Sequence, residues 1–425
     1  MKIKILSREL VKPSSPTPLA LKDFKLSFID ERIPHFFIPL ILYYTYNESS
    51  GIKPSEMDTW LKASMAEALT DFYPLAGRMK GQTLVDCNDE GVYFLVSVVD
   101  GMLQELIEYP KNEVLDNLIP YKSHGSTLIT NEQLAVQVNM FQCGGIAIGF
   151  CLSHRIADGS SLWTFIKAWA AKAAGQRKVV SPVFNCASLL PARGTPDFRP
   201  NPKCAPVLPS VERLVTKRFY FPASFVGELK NRVIKSSSIM QPSRVEVVFA
   251  MIWKCWMVAK GLDKDALSAT CVPVNLRGKD VILDENSFGN LFQMATTLAS
   301  GETDWIVLVE KLRKTINKFD NNYITRLLAK DGFEIHKKNF TQMRDLISQD
   351  IVKVLKCSPW CNFPLYEVDF GWGKPSWVTS AGFASKDTIL MFNSKDSRGV
   401  EAWVVMADHE MGKLEQEIEL KVYYL

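Results

Sequence analysis

Large apolar residues alternate with smaller or polar ones between positions 134 and 140, and this period of two predicts a β-strand. A Cys-Gly-Gly turn at 143–145 follows, and an apolar run then extends from Ile146 to Leu152. Two such segments joined by a short glycine-containing turn indicate a β-hairpin. We therefore expect a hairpin whose second strand ends just before His154.

Three segments carry apolar residues at the spacing of a buried helix face. One helix is predicted over 57–68, and another begins after Gly159, where apolar residues occupy positions 162, 165, 166 and 169. A third covers 244–258 and opens after a Pro-Ser pair. His154 and the residues up to Gly159 consequently lie on a strand-to-helix connection. Reactive side chains are commonly displayed on such connections because rigid elements hold the loop.

The stretch between residues 191 and 209 contains six prolines. That density excludes a helix or a central strand and indicates an extended linker. At 425 residues the chain is also too long for one compact core. We predict an amino-terminal domain over 1–190, a linker over 191–210 and a carboxy-terminal domain over 211–425.

Composition and charge narrow the class of protein. With 47% hydrophobic and 23% charged residues, the chain matches an ordinary soluble globular protein. A net charge of +4, with scattered lysines and arginines, is too mild for nucleic-acid binding. No apolar run of about 18 residues predicts a membrane helix, and the amino terminus lacks the apolar core of a secretory signal. The nine scattered cysteines predict reduced thiols in the cytoplasm, and no Cys or His pair joins Cys357 and Cys361 to complete a metal site.

Residues 154–159 read His-Arg-Ile-Ala-Asp-Gly, an HxxxD sequence. Histidine suits acid–base chemistry because its unperturbed pKa of about 6.5 lets it take a proton near neutral pH and return it. The motif alone is weak evidence, since His154 could be an ordinary loop histidine and Asp158 a helix cap. Its position between an apolar strand and an amphipathic helix strengthens the catalytic interpretation, which stands here beside the interpretation as a loop histidine. Asp158 can cap the helix in either case.

Residues 369–373 read Asp-Phe-Gly-Trp-Gly and precede a strand-like segment at 376–379. Two glycines, two aromatics and a carboxylate in one pentapeptide rarely arise from composition alone. The glycines allow backbone angles closed to other residues and let another segment approach closely. Asp369 is either a second base or, more commonly for a carboxylate in such a turn, a group that holds backbone amides or an arginine.

With these two motifs in place, the chain resembles the plant BAHD acyltransferases, and within them the vinorine-synthase-like subgroup. The resemblance covers essentially the whole chain, and it implies an enzyme that transfers an acyl group from acyl-CoA to an alcohol or amine. Further segments that carry it are 13–18, 26–30, 72–78, 85–92, 243–246, 252–254, 274–277 and 286–290.

The resemblance implies an α/β fold with two similar domains. Each domain is a mixed β-sheet flanked by helices, as in chloramphenicol acetyltransferase, and a long crossover loop that matches the proline-rich linker joins them. The amino-terminal domain would carry HxxxD and receive a strand from about 370–392. The carboxy-terminal domain would carry the Asp369–Gly373 motif.

The resemblance also implies roles for individual residues. His154 would be the general base, taking the proton of the attacking hydroxyl and returning one to the departing CoA thiolate. Because Gly-x-Ser-x-Gly is absent, direct transfer without an acyl-enzyme is the simpler mechanism. Asp158 would turn away from the substrate and pair with Arg277, while Asp369 would support the fold. The remaining implied residues are Ser243 and Arg244 near the CoA, and Gly371, Trp372 and Gly373 as motif backbone and a candidate oxyanion region.

The subgroup implies acetyl-CoA as co-substrate, no bound cofactor and no metal. The expected acceptor is a small-molecule alcohol of plant specialised metabolism, of alkaloid or terpenoid type, and the expected state is a cytoplasmic monomer. One alternative is a longer aliphatic or aromatic acyl-CoA acting on a volatile alcohol, sugar ester or phenolic acceptor. The non-enzyme alternative is a catalytically inactive binding homologue. Chloramphenicol-type and carnitine-type acyltransferases also carry HxxxD, but they lack the segments found here at 369–373 and 73–78.

Overall fold

The computed structural model describes residues 1–46, 56–121, 131–194, 212–348, 352–381 and 385–424, and the chain divides into two compact units. The first unit consists of Met1–Arg199, Val281–Leu291 and Phe363–Gly382. The second consists of Pro200–Asp280, Phe292–Asn362 and Phe383–Leu425. Residues 195–210 of the predicted linker lie outside the described residues.

Strands and helices occur in both units. In chain order the strands are β1 (Lys2–Val11), β2 (Asp23–Lys25), β3 (Phe37–Tyr44), β4 (Arg78–Lys80), β5 (Leu84–Asp86), β6 (Val92–Asp100), β7 (Leu134–Phe141), β8 (Ile146–Ser153), β9 (Leu214–Phe221), β10 (Leu267–Asn275), β11 (Phe292–Ser300), β12 (Lys353–Pro359), β13 (Trp377–Thr379), β14 (Thr388–Asn393) and β15 (Val400–Ala407). The helices are α1 (Met57–Asp71), α2 (Leu103–Glu108), α3 (Asn112–Leu115), α4 (Gly159–Ala173), α5 (Cys186–Leu189), α6 (Ala223–Ser236), α7 (Arg244–Ala259), α8 (Trp305–Ile316), α9 (Asn321–Leu328), α10 (Gly332–Ser348) and α11 (Asp408–Tyr424).

A mixed six-stranded sheet forms the base of the first unit, with strand order β1-β6-β7-β8-β3-β13. β6 and β7 run parallel, and the other neighbours run antiparallel. β7 and β8 pair in register from Leu134↔Leu152 to Met140↔Ile146. This pairing confirms the predicted hairpin, and it places residue 154 at the end of an interior strand. β2, β5 and β4 form a small second sheet in the same unit.

The predicted helix after Gly159 is α4, which packs on this sheet through its apolar stripe. Phe165 and Trp169 are fully buried, and the Trp169 ring lies edge-on to Phe150 of β8 with centroids 5.9 Å apart. The Trp169 Nε1 donates to the main-chain oxygen of Leu61 in α1 at 3.2 Å. Large buried aromatic rings dominate the packing energy of such a core, so these contacts hold α4 against the sheet and α1. α1 itself runs three residues beyond its predicted end at 68.

The second unit is built on another mixed six-stranded sheet, with strand order β11-β10-β12-β14-β15-β9. β12 runs parallel to both of its neighbours, and the remaining pairs are antiparallel. The apolar run at 244–258 forms α7, whose Trp253 and Trp256 are both 0% exposed within the core. The two mixed sheets with their helices confirm the predicted α/β fold class.

Two segments from the second half of the chain belong to the first unit. Phe363–Gly382 contributes β13, which pairs with β3, whereas β14 joins the sheet of the second unit. Val281–Leu291 lies at the start of α4, where the Gly289 N–H and O bond the Ser161 hydroxyl at 3.1 and 3.0 Å. The Asp369–Gly373 motif therefore lies in the first unit, and not in the 211–425 domain to which the linear division assigned it. Pairing between distant segments decides this placement.

Over the described ranges, no helix is both long and apolar enough to cross a membrane. The same residues contain no group of three or more His, Cys, Asp or Glu side chains arranged to hold a metal ion. The described cysteines are free thiols, and all except Cys143 are buried.

Candidate active site

His154 follows β8 directly and begins the connection to α4. Its backbone N–H donates to the main-chain oxygen of Phe36 at 2.9 Å, which extends the pairing of β8 with β3. The imidazole lies edge-on to the Phe36 ring, with centroids 4.8 Å apart. The residue keeps partial solvent exposure while its Nδ1 atom is buried. The ring nitrogen that can meet a substrate hydroxyl is therefore Nε2.

The surroundings of His154 favour the neutral imidazole. Burial lowers its pKa below the usual value of 6.5, because the charged form is poorly solvated there. The Asp158 carboxylate, nearby backbone oxygens and the Asn290 side chain raise the pKa, but burial has the larger effect. Neutral imidazole has one free lone pair, so at pH 7 His154 can accept a proton from a hydroxyl.

Asp158 is the amino-terminal cap of α4. Its Oδ1 atom accepts a hydrogen bond from the backbone N–H of Ser161, and its Oδ2 atom accepts one from Leu291, both at 3.0 Å. The Asp158 N–H in turn donates to the Gly289 oxygen at 3.3 Å. At 7% exposure the carboxylate is buried and joins the HxxxD connection to the 281–291 segment. Asp158 is thus a helix cap, as the sequence allowed, and its negative charge also raises the pKa of His154.

Asp369 accepts two hydrogen bonds from its own turn. The Gly371 and Gly373 N–H groups donate to its Oδ1 atom at 2.8 and 2.9 Å. Both glycines have positive φ angles, 107° and 116°, which residues with a Cβ rarely adopt. The carboxylate therefore closes the turn, and these two N–H groups point at Asp369.

The aromatic residues of the same motif pack against elements that carry the site. Phe370 and Trp372 stack with ring centroids 5.4 Å apart, and both rings lie edge-on to Tyr44 of β3. Phe370 also contacts Trp169 of α4 at 4.9 Å between centroids. The motif thus covers the same α4 whose amino terminus adjoins His154.

The remaining predicted residues lie in the second unit. Ser243 caps α7 in a capping box, in which its hydroxyl accepts from the Glu246 N–H and Glu246 accepts from the Ser243 N–H. The Arg244 guanidinium donates to Asn393 Oδ1 at 3.1 Å and to the backbone oxygens of Ser397 and Gly399. It thereby holds the loop between β14 and β15.

Arg277 bonds the Asn275 Oδ1 atom through its backbone N–H at 3.2 Å and its side chain at 3.1 Å. Arg277 belongs to the second unit and Asp158 to the first. The pairing of Asp158 with Arg277 stays a prediction.

Two buried polar residues near His154 were given no role by the sequence patterns. Asn290 is 0% exposed and its Nδ2 atom donates to the main-chain oxygen of His154 at 2.8 Å. Asp30 is 2% exposed and accepts from Asn290. Their segments, 26–30 and 286–290, are among those that resemble the acyltransferase family. That resemblance is the one sequence signal that could have pointed to these two residues.

The chain is similar to characterised plant enzymes over its full length. Limonoid 21-O-acetyltransferase from Melia azedarach is 32% identical, covering 100% of this chain and 98% of that protein. Stemmadenine O-acetyltransferase from Catharanthus roseus is 34% identical, covering 98% and 96% respectively. The crystal structure of vinorine synthase, an enzyme from Rauvolfia serpentina, superposes with a TM-score of 0.84 at 33% identity, covering 97% of this chain and 96% of that chain.

The fold with two mixed sheets and a histidine after an interior strand defines a CoA-acyltransferase-like protein. The protein family described as the Transferase family matches residues 1–421. The chain belongs to this family, the BAHD acyltransferases, and is an acyl-CoA-dependent alcohol acyltransferase.

Proposed function

We propose that the enzyme transfers the acetyl group of acetyl-CoA to a hydroxyl of an alkaloid- or terpenoid-type plant metabolite, with His154 as general base. The observation that carries the chemistry is a partly exposed imidazole whose Nδ1 is buried, and burial lowers its pKa and so favours the neutral form. The names of the relatives, O-acetyltransferases of a limonoid and of stemmadenine, support the donor and the acceptor class.

In the proposed reaction His154 moves one proton twice. Its Nε2 atom takes the proton of the acceptor hydroxyl while the oxygen attacks the thioester carbonyl carbon. The carbon–sulfur bond then breaks, and the imidazolium returns the proton to the CoA thiolate. Such general acid–base catalysis is commonly worth about 10²–10⁴-fold in rate.

Direct transfer is favoured because the nearest thiol along the chain is a poor nucleophile. Cys151 lies on β8, three residues before His154, and burial raises its pKa to about 12. Since the thiolate is the reactive form, Cys151 is protonated and unreactive at neutral pH. An acyl-enzyme on this residue is therefore disfavoured.

We also propose that Asp369 supports the motif turn and takes no part in proton transfer, since its Oδ1 is engaged by Gly371 and Gly373. Ser243 and Arg244 are proposed to lie near the bound CoA. Because Arg244 bonds the loop at 393–399, its contribution would be to shape that loop.

The proposal is tested by following CoA thiol release with acetyl-, malonyl-, benzoyl- and p-coumaroyl-CoA, using a plant metabolite extract as acceptor and mass spectrometry to identify products. We expect acetyl products, and we expect His154→Ala to retain less than about a hundredth of the activity. The matched control is His409→Ala, because His409 is an exposed histidine at the start of α11.

Two outcomes would contradict the proposal in different ways. A preference for an aromatic or long aliphatic donor would overturn the acetyl assignment and leave the role of His154 standing. A folded His154→Ala enzyme with more than a tenth of wild-type activity would overturn the general-base mechanism itself.

A further inference from the structure

The chain makes a tight turn directly after β8, and His154 and Arg155 are its two central residues. The backbone N–H of Ile156 donates to the main-chain oxygen of Ser153 at 3.2 Å, which closes the turn. The His154 N–H donates to the Phe36 oxygen at 2.9 Å and fixes the first half of the turn. Arg155 is buried although it carries a charge, so its side chain can fix the second half.

The Arg155 guanidinium contacts two neighbouring elements of the first unit. Its Nη2 atom donates to the main-chain oxygen of Gln82, in the turn between β4 and β5. Its Nη1 atom lies 3.1 Å from the Nε2 atom of His35, which precedes β3 by two residues. One side chain therefore connects the His154 turn to the small sheet and to the start of β3.

The contact with Arg155 determines the protonation state of His35. A guanidinium has only hydrogen-bond donors and stays protonated in proteins. The His35 Nε2 atom must therefore accept, which leaves the ring neutral with its proton on Nδ1. Burial and the positive charge of Arg155 both lower the pKa of His35, which favours the same neutral state.

Two buried carboxylates offset the charge of Arg155. Burial lowers the pKa of Arg155, and the negative charges of Asp30 and Glu31 raise it. The Glu31 carboxylate is itself fixed, because it accepts from the backbone N–H groups of Arg193 and Gly194 at 2.9 and 2.8 Å. A buried charge is costly unless it meets opposite charge and hydrogen-bond partners. The guanidinium is therefore most stable in one place, where both requirements are met.

We propose that Arg155 is a positioning residue whose guanidinium, held by Gln82 and a neutral His35, sets the orientation of the turn that presents His154. This inference rests on the proposed role of His154 as general base. A base removes a proton only from within hydrogen-bond reach, so a small rotation of the turn would carry the imidazole out of place. Arg155 acts through the backbone of the turn and takes no part in proton transfer.

The test measures kcat, KM and the thermal midpoint of Arg155→Met and Arg155→Lys, with acetyl-CoA and the alcohol purified from the extract screen. For Arg155→Met we expect kcat to fall about 10- to 100-fold with KM for acetyl-CoA within about twofold, since the base is displaced and the donor site is unchanged. Arg155→Lys should recover part of kcat, because an ammonium keeps the charge but cannot serve both hydrogen-bond partners. A folded Arg155→Met enzyme with kcat within about threefold of wild type would overturn the proposal.

Arg78→Met provides the matched control. The Arg78 guanidinium also binds two main-chain oxygens in the first unit, those of Gly77 and Gly91 at 2.9 and 2.8 Å, and it pairs with Glu90. Its loss loosens the small sheet at β4 and leaves the contacts of Arg155 in place. We expect a lower thermal midpoint with kcat close to wild type. Equal losses of kcat in the two methionine variants would assign the effect to general loosening and overturn the positioning role.

Substitutions at His35 test the same contact if Arg155→Met does not fold. His35 is exposed, so its replacement leaves the core unchanged. His35→Gln offers an amide oxygen to the guanidinium and should keep kcat. His35→Leu offers no acceptor and should lower kcat, by a smaller factor than Arg155→Met because the bond to Gln82 remains. Wild-type kcat in both His35→Leu and Arg155→Lys would overturn the proposal.

Failure of this inference is distinguishable from failure of the proposed mechanism. An inactive His154→Ala together with an Arg155→Met enzyme of unchanged kcat would overturn the role of Arg155 alone. An active His154→Ala would overturn the general-base mechanism on which that role rests.

Discussion

The Oδ2 atom of Asp158 accepts a hydrogen bond from the backbone N–H of Leu291 at 3.0 Å, although the two residues are 133 positions apart. The other oxygen of the same carboxylate caps α4 through Ser161. One side chain thus fixes both the helix that follows His154 and the segment that brings Asn290 behind it. The aspartate of the HxxxD motif therefore links the start of α4 to the 281–291 segment.

We expect Asp158→Asn to lower both stability and activity. Asparagine offers one acceptor oxygen where two backbone N–H groups now donate, so its amide nitrogen would face a donor. A buried donor left unsatisfied costs about 1–3 kcal/mol of the free energy of unfolding, measurable by chemical denaturation. The control is Asp304→Asn, because Asp304 caps α8 through the single N–H of Ile306 and asparagine caps equally well. Equal losses of unfolding free energy in the two variants would contradict this linking role of Asp158.

The predicted pairing of Asp158 with Arg277 is tested by a double-mutant cycle. Arg277→Met should lower the thermal midpoint and activity, as Asp158→Asn does. If the two groups pair, the double variant should lose less than the sum of the single losses, with a coupling of about 0.5–3 kcal/mol. Additive losses would mean that the two residues act independently.

The lowered pKa of His154 predicts an acidic limb in kcat/KM with a midpoint below 6.5. As pH falls through this range the imidazole is protonated and cannot act as a base. The unfolded chain takes up that proton first, at its higher pKa, so the contribution of His154 to stability also falls as pH drops below 6.5.

Asp30, whose pKa burial raises to about 6, contributes to stability in the opposite direction, because the folded state binds its proton more tightly. The two contributions partly cancel in a stability profile, so the pH dependence of initial rates reports the pKa of His154 more clearly than the pH dependence of stability does. An acidic limb centred above 6.5 would contradict the environment described for His154.

Substitutions at Asp369 should separate support of the turn from base catalysis. An asparagine oxygen can accept the Gly371 and Gly373 N–H groups as aspartate does, so Asp369→Asn should keep most of its activity. Asp369→Ala removes the acceptor of both donors, one exposed and one partly buried, and should lower the free energy of unfolding by about 0.5–1.5 kcal/mol.

The control for Asp369 is Glu367→Gln, which removes the charge of an exposed ion pair with Lys374 in the same segment. Such pairs contribute little to stability. A loss of about 100-fold or more in Asp369→Asn, with stability retained, would instead assign Asp369 to proton transfer.

Transfer should proceed through a ternary complex with both substrates bound. The imidazole can serve both proton transfers, and the Cys151 thiol is protonated, so nothing requires a covalent intermediate. Initial rates measured over a grid of acetyl-CoA and acceptor concentrations should give intersecting lines. Parallel lines, or an acetylated protein trapped in the absence of acceptor, would point to an acyl-enzyme.

The sequence by itself determined the local elements of this protein. The β7–β8 hairpin, α4 and α7 follow from the pattern of apolar residues. Positions buried in the core are apolar, so their spacing along the chain indicates whether the element is a strand or a helix. The helix signal after residue 159 and the strand signal before 154 also placed His154 on its connection. The resemblance of short motifs to the BAHD acyltransferases added the class of reaction.

Only the tertiary structure decided which distant segments join the unit that carries His154. The 281–291 and 363–382 segments join the first unit through single hydrogen bonds, ring contacts and the short strand β13, none of which leaves a periodic signal in the sequence. The Asp30–Asn290 pair spans 260 positions, and each residue alone reads as an ordinary polar side chain. Burial and partner geometry give such residues their chemistry, and both exist only once the chain has folded.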